Sequence, residues 1–182
     1  MKPISLTFLI SYLLLLAGCS TVSVNIDYDP KVDFVGLRTF AIGTSTNKDD
    51  VLLRNPLVLQ RVNDSLMRTM QAKGYINDPA NPDMFLYPHA GTQDKIRVTD
   101  WGSTYHGWWG HGPYNWGHAN RIDVREYTEG YLIIDVVSPV DKKLAWRGVG
   151  KFIVSSKELS PQESQKRIDE IVRKIFDRYP PP

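Results

Sequence analysis

Cysteine is almost absent from this chain: Cys19 is the only one among 182 residues. A single cysteine leaves no partner for an internal disulfide and excludes a metal site built on several thiolates. An excess of either charge is also lacking, since 22 Lys and Arg face 20 Asp and Glu, a net of +2. This balance gives no electrostatic basis for binding nucleic acid.

Catalytic signatures are missing as well. The sequence contains neither a G-x-S-x-G nucleophile elbow nor the H-E-x-x-H motif of metalloproteases. Triads assembled from distant residues leave no such pattern, so the sequence does not exclude an enzyme. A non-catalytic role is the main expectation.

The first eighteen residues have the organisation of a secretory signal peptide. Lys2 supplies a positive charge, and residues 4–16 carry only apolar, aromatic or hydroxyl side chains. This apolar stretch is too short for a permanent membrane-spanning helix, and it is followed by the small residues Ala17 and Gly18. Residues 1–18 are therefore predicted to be removed, leaving 182 − 18 = 164 residues.

The sequence Leu16-Ala17-Gly18-Cys19 resembles the lipobox of bacterial lipoproteins. The resemblance implies that the Cys19 thiol carries two acyl chains and that the new amine is acylated with a chain such as palmitate. Multiple chains anchor a protein stably in a bilayer. Ser20, rather than Asp, follows the cysteine, which by the same resemblance implies the outer membrane, facing the periplasm. No cofactor is predicted beyond this covalent lipid.

The remaining chain is predicted to be one α+β domain over residues 22–182, after a short tether at 19–21. Alternation predicts strands at Val22 to Tyr28 and Thr39 to Ile42, and residues 44–54 are predicted to form a loop. Asn55 and Pro56 predict the start of a helix that Gly74 ends, and Ser160 with Glu163 predicts a capping box for a second helix. Further strands are predicted at Met84 to His89, Ile96 to Trp101, Ile122 to Tyr127, Tyr131 to Ser138 and Leu144 to Val154.

Short connections favour antiparallel neighbours among these strands. Thr128-Glu129-Gly130 and the stretch from Pro139 to Lys143 are too short for a crossover. The expected fold is a two-layer arrangement in which two amphipathic helices pack on a largely antiparallel sheet.

Several short segments resemble the family known as domain of unknown function 4136, a group of bacterial lipoproteins. The segments are Asp27-Tyr28-Asp29, Asp33-Phe34, Thr39-Phe40-Ala41, Asn55-Pro56-Leu57, Lys73-Gly74-Tyr75, Pro82-Asp83, Glu129-Gly130, Leu132 to Val137 and Leu144-Ala145-Trp146-Arg147-Gly148. Their order and spacing carry the resemblance, which covers nearly the whole mature chain. It implies no activity and no catalytic residue.

Residues 101–118, here called the aromatic segment, are the most unusual part of the sequence. They hold four tryptophans, three histidines and five glycines, and no Asp, Glu, Lys or Arg. Glycine at this density predicts a loop. Its large rings predict either a plug for the sheet or a surface that binds an envelope protein or glycan. The candidate binding residues are Trp101, Tyr105, Trp108, Trp109, Tyr114 and Trp116.

The histidines of this segment raise a second, enzymatic possibility. His106, His111 and His118 could contribute to a metal-dependent or hydrolytic site in the periplasm. Their spacing in a glycine-rich loop does not fix a coordination geometry, so no metal site is predicted. His89 lies in a predicted strand and is interpreted as structural.

Asp135 is the acidic residue with the clearest predicted environment. Alternation places it on the same strand face as Ile133 and Val137, where an unpaired carboxylate would be costly. If Ser138 pairs with Leu144 across the turn, then Asp135 faces Arg147. We therefore expect a structural ion pair between these two residues.

Overall fold

The computed structural model describes residues 22–45, 47–100 and 122–181, which form a six-stranded sheet with three helices. In chain order the elements are β1 (Ser23–Tyr28), β2 (Thr39–Ile42), α1 (Val51–Arg54), α2 (Pro56–Ala72), β3 (Ile76–Asn77), β4 (Met84–Asp100), β5 (Ile122–Val137), β6 (Leu144–Ile153) and α3 (Pro161–Phe176). The strands lie in the order β1-β6-β5-β4-β2-β3. The α+β class is confirmed. Among the described residues, no helix is long and apolar enough to cross a bilayer.

The sheet is mixed, so the expectation of a largely antiparallel sheet is wrong. β2 runs parallel to both of its neighbours, β3 and β4, whereas β4, β5, β6 and β1 pair antiparallel in succession. Parallel neighbours need a long connection, and the chain passes through α1 and α2 between β2 and β3. The predicted helix itself therefore creates the parallel pairing.

The predicted turn at Thr128-Glu129-Gly130 is also wrong. These residues continue β5, and the two strands predicted between Met84 and Trp101 form the single strand β4. Gly130 makes room for a neighbouring ring: a Cβ there would lie 2.6 Å from Cε2 of Phe152. Glycine within a strand can therefore mark a close approach as well as a turn.

The two long helices begin and end close to the predicted residues. α2 starts at Pro56 and is followed by Gly74 with a φ of +89°, while Ser160 and Glu163 form the predicted capping box of α3. The side chain of Asn55 does not cap α2, because its Nδ2 donates to the Val51 carbonyl at 2.8 Å. Instead the predicted loop contains the one-turn helix α1, which Asp50 caps.

Trp146 lies at the centre of the core and is fully buried. Its ring stacks on Phe176 at a centroid distance of 5.7 Å and meets the edge of Tyr179 at 5.1 Å. Gly148, two residues further along β6, lies beneath Trp146 and Ile175 of α3. Because side chains alternate along a strand, Arg147 and Val149 point to the opposite side of the sheet, which we call the second face.

Candidate functional site

The predicted ion pair between Asp135 and Arg147 is confirmed, and it lies on the second face. Arg147 donates from Nε to Asp135 Oδ1 at 2.7 Å and from Nη2 to Oδ2 at 2.6 Å. These bonds raise the pKa of Arg147 above its ordinary value. The Asp135 side chain is only 9% exposed, so the guanidinium supplies the charge that a buried carboxylate needs.

The pair forms in a register different from the one that predicted it. Leu144 pairs with Val137 rather than with Ser138, and an irregularity between Val136 and Val137 then shifts the alignment by one residue. The shift returns Asp135 to the position opposite Arg147. A bulge of this kind adds one residue to one strand and so restores the facing pair.

His89 extends the pair into a longer row. Its Nδ1 lies 3.0 Å from Oδ2 of Asp50, and its Nε2 lies 3.7 Å from Oδ2 of Asp135. We call Asp50, His89, Asp135 and Arg147 the charged row. The row runs across β4, β5 and β6 from Asp50 to Arg147. Along it, the carboxylates of Asp50 and Asp135 alternate with the nitrogen-bearing side chains of His89 and Arg147.

Asp50 fixes one end of the charged row. Its Oδ1 accepts from the backbone N–H of Leu52 at 3.0 Å and of Ala90 at 3.1 Å, so it caps α1 and satisfies a donor of β4. Burial alone would raise the pKa of Asp50, but the bonds from Ala90, Leu52 and His89 outweigh it and hold that pKa below its ordinary value. Asp50 is therefore ionised and pins α1 to the sheet.

The contacts of the charged row join neighbouring elements of the fold. Both carboxylates receive hydrogen bonds, and the ring of His89 lies between them. Within residues 22–45, 47–100 and 122–181, no group of three or more His, Cys, Asp or Glu residues could hold a metal ion. Sequence reasoning missed the contact between Asp50 and His89 because 39 residues separate them.

A two-stranded ribbon is the second feature of this part of the molecule. β4 and β5 stay paired beyond the end of β6, from Asp94 opposite Thr128 to Asp100 opposite Ile122, and we call these seven pairs the ribbon. At its base, the Thr128 hydroxyl donates to Asp94 Oδ1 at 2.9 Å. The ribbon leads on both strands to the aromatic segment.

The lipidation site, the aromatic binding residues and the histidines considered from the sequence lie outside the described residues. They are Cys19, Trp101, Tyr105, Trp108, Trp109, Tyr114 and Trp116, together with the histidines His106, His111 and His118. Their roles stay predictions. The structure describes the ribbon that precedes and follows the aromatic segment.

A cleft of about 710 Å³ opens beside the base of the ribbon. Its lining combines charged, hydroxyl and apolar groups from β4, β5 and the chain that leaves β6. The lining residues are Asp94, Lys95, Glu126, Tyr127, Thr128, Ile153, Val154, Ser155 and Ser156. The base of the ribbon is therefore concave and lined by both polar and apolar groups.

Comparison with known proteins identifies a family without an assigned activity. The family described as a domain of unknown function (DUF4136) matches residues 24–181. No curated protein matches the sequence.

Several solved structures are similar to this chain at low sequence identity. A PDZ domain protein from Parabacteroides distasonis is 13% identical with a TM-score of 0.54, and the match covers 94% of this chain but only 39% of that protein. A DUF4136 family protein from Bacteroides thetaiotaomicron is 16% identical, with 88% of this chain and 97% of that one covered and a TM-score of 0.46. PelC from Paraburkholderia phytofirmans, a dodecamer, is 12% identical over 85% of this chain and 94% of its own, with a TM-score of 0.43. At 13% identity, the likeness to the PDZ domain protein shows the fold alone.

Proposed function

The chain belongs to the DUF4136 family, and from this premise we propose that it is a lipid-anchored protein of the cell envelope that acts by binding rather than by catalysis. The observation that carries the proposal is the apolar stretch of residues 4–16 followed by Ala17, Gly18 and Cys19, a pattern that resembles a lipoprotein signal peptide of residues 1–18. In this proposal residues 1–18 are removed, residues 19–21 form the tether, and residues 22–182 are one domain. The anchor lies in the outer membrane and the domain faces the periplasm.

The aromatic segment is the proposed binding surface. Support comes from its composition and from its position at the end of the ribbon, where β4 and β5 hold residues 100 and 122 as neighbours. Tryptophan and tyrosine give large contact areas with few rotatable bonds, and exposed aromatic clusters are typical of contact sites. An envelope protein or a glycan is the proposed partner.

The charged row has a structural explanation that needs no catalytic role. Nδ1 of His89 bonds to Asp50 at 3.0 Å, and Nε2 faces the carboxylate of Asp135 at 3.7 Å, beyond hydrogen-bond length. Asp50 and Asp135 in turn accept bonds from backbone N–H groups, from His89 and from Arg147. This arrangement stabilises the fold.

The anchor is tested by replacing Cys19→Ala. We expect the processed variant to leave the membrane fraction, because the acyl chains are the proposed membrane attachment. Fractionation after a high-salt wash measures the result, and Ser20→Ala, which keeps the cysteine, is the matched control. A Cys19→Ala protein that stays in the washed pellet would show that the anchor lies elsewhere.

The binding surface is tested by replacing residues 101–118 with a Gly-Ser linker of equal length. We expect the circular dichroism and melting temperature to be preserved, while recovery of envelope partners from cross-linked cells falls. Retention of every partner would rule out the aromatic segment as the binding surface. A much lower melting temperature would instead identify it as a plug of the sheet.

A further inference from the structure

A half-open groove lies at the end of the sheet opposite the ribbon. It is formed between the connection from β1 to β2 and the turn from β5 to β6, and its volume is about 480 Å³. Its lining comes from residues 29–37, 83–84 and 136–145. Pockets for small ligands span roughly 300–1,000 Å³, so the groove has the size of a small-molecule site.

The floor of the groove belongs to the apolar core. Met84, Val136 and Ala145 line it, and each is at most 4% exposed. Ala145 lies at the irregularity between β5 and β6 and has no partner on β5. Its small side chain leaves open a space that a larger residue would fill. Bulges of this kind are common beside functional sites.

The walls of the groove stay apolar up to the solvent. Val32 and Leu37 come from the connection after β1 and are partly buried against the core. Leu144 and Val140 come from the turn before β6 and are 43% and 91% exposed. Apolar side chains exposed around a cavity are typical of contact sites, because covering them removes apolar surface from water. The groove therefore favours an apolar ligand.

Three carboxylates and two lysines lie at the rim of the groove, and the carboxylates already have partners. Asp83 accepts from two backbone N–H groups at 2.8 Å, and Asp29 accepts from one at 2.9 Å. Oδ2 of Asp141 lies 3.0 Å from Nζ of Lys143. The negative charges at the rim are therefore compensated by donors of the protein itself.

Lys31 carries the remaining charge at the rim. The residue is exposed, and within the described part of the chain its ammonium has neither an ion pair nor a hydrogen bond. A carboxylate forms a charge-assisted hydrogen bond with such an ammonium. The groove thus combines an apolar cavity with one available cation at its mouth.

We infer that this groove binds a free fatty acid, with its chain against Met84, Val136 and Ala145 and its carboxylate beside Lys31. A single chain fits a cavity of about 480 Å³, whereas a phospholipid brings two chains. This site is additional to the binding surface proposed for residues 101–118 and does not depend on it.

The test uses the full lipidated protein in phospholipid vesicles and a fatty acid that carries a photoreactive diazirine at the end of its chain. After irradiation, mass spectrometry of peptides locates the adducts. We expect adducts on residues that line the groove, and we expect an excess of the same fatty acid without the diazirine to remove them. Since the vesicles supply phospholipid in large excess, labelling under these conditions reports the free acid.

Leu144→Glu tests the groove, and Ile153→Glu is its matched control. Leu144 and Ile153 are 43% and 42% exposed, but only Leu144 lines the groove. We expect Leu144→Glu to lower labelling of the groove about tenfold, because a carboxylate beside the chain would lose its hydration. Ile153→Glu should leave the labelling unchanged. Equal labelling of the two variants would overturn the site.

Lys31→Glu tests the position of the carboxylate. Because Lys31 is exposed, the variant is expected to fold, and it decides the question if Leu144→Glu does not. We expect several-fold weaker labelling than in the wild type, and unchanged labelling would reject a fatty acid bound through Lys31. Adducts scattered over the surface, or adducts that excess fatty acid does not remove, would reject the groove as a binding site.

Discussion

Asp135 shows how a buried charge is stabilised in this protein. Its carboxylate is held by two bonds from Arg147, whose own side chain is 44% exposed. Removing only one partner leaves the other charge without compensation, whereas removing both avoids this cost. The contribution of Asp135 to stability therefore depends on the presence of Arg147, and the reverse also holds.

We predict that Arg147→Met lowers the free energy of unfolding by about 1–3 kcal/mol, because Asp135 stays buried without its main partner. The double variant Asp135→Leu with Arg147→Met should recover part of this loss. Urea denaturation of the single and double variants measures the coupling. Strictly additive effects would show that the two residues do not stabilise each other.

Gly148 illustrates a steric requirement on the other face of the sheet. An added Cβ would lie 2.3 Å from the Trp146 ring and 2.5 Å from Cγ2 of Ile175. Trp146 and Ile175 are fully buried and cannot swing away. We predict that Gly148→Ala lowers the free energy of unfolding by about 1–3 kcal/mol, as other overpacked cores do.

Gly91→Ala is the matched control for Gly148→Ala. Its Cβ would meet the hydroxyl of Tyr131 at 2.0 Å, but Tyr131 is half-buried and its ring can turn aside. Urea midpoints of the two variants should therefore differ, with Gly148→Ala the lower. Equal midpoints would mean that the core around Trp146 adapts as easily as the second face.

At the scale of elements, α1 depends on one residue. Asp50 caps this single turn, bonds to β4 through Ala90 and contacts His89, and its side chain is 1% exposed. One-turn helices have no stability of their own. The carboxylate of Asp50 therefore holds α1 in place.

We predict that Asp50→Asn reduces both the stability of the protein and its sensitivity to acid. Since the folded state lowers the pKa of Asp50, the ionised group contributes stability at neutral pH that is lost as the pH falls through its folded pKa. The stability difference between wild type and variant should shrink as the pH falls below about 5 and passes through the lowered pKa of Asp50. Urea midpoints across this range measure it, and Asp49→Asn, whose side chain is 93% exposed, is the control. A difference that does not change with pH would assign the effect to something other than the charge.

The helices could be predicted from the sequence because their signals are local. Pro56 and Gly74 bound α2, and Ser160 with Glu163 opens α3, all through contacts within a few residues. The ribbon could not be predicted, because the sequence around Gly130 is equally typical of a turn and of a strand in which glycine makes room for a ring. In the structure Gly130 lies within β5, beside the ring of Phe152. The parallel placement of β2 depends on strand pairings that no local pattern specifies.

At the scale of the whole molecule, the candidate site shows the same contrast between local signals, which the sequence reveals, and contacts between distant residues, which it does not. Asp135 and Arg147 could be predicted because a short turn joins their strands, although the pairing assumed at the turn was wrong. The contact between Asp50 and His89 could not be predicted, because these residues meet only when α1 docks against β4. The lipid on Cys19 and the contacts of the aromatic segment stay predictions that the proposed experiments test.

The position of β1 has a consequence for the order of events in the cell. β1 is an edge strand whose only strand partner in the described part of the chain is β6, and Ser23 pairs with a residue 151 − 23 = 128 positions later. Loop closure over such a distance is slow and comes late in folding. In an exported chain that crosses the membrane from its N-terminus, β1 therefore stays without its partner until almost the whole polypeptide has been translocated. Under the proposed export, Cys19 therefore reaches the far side of the membrane well before the sheet can close.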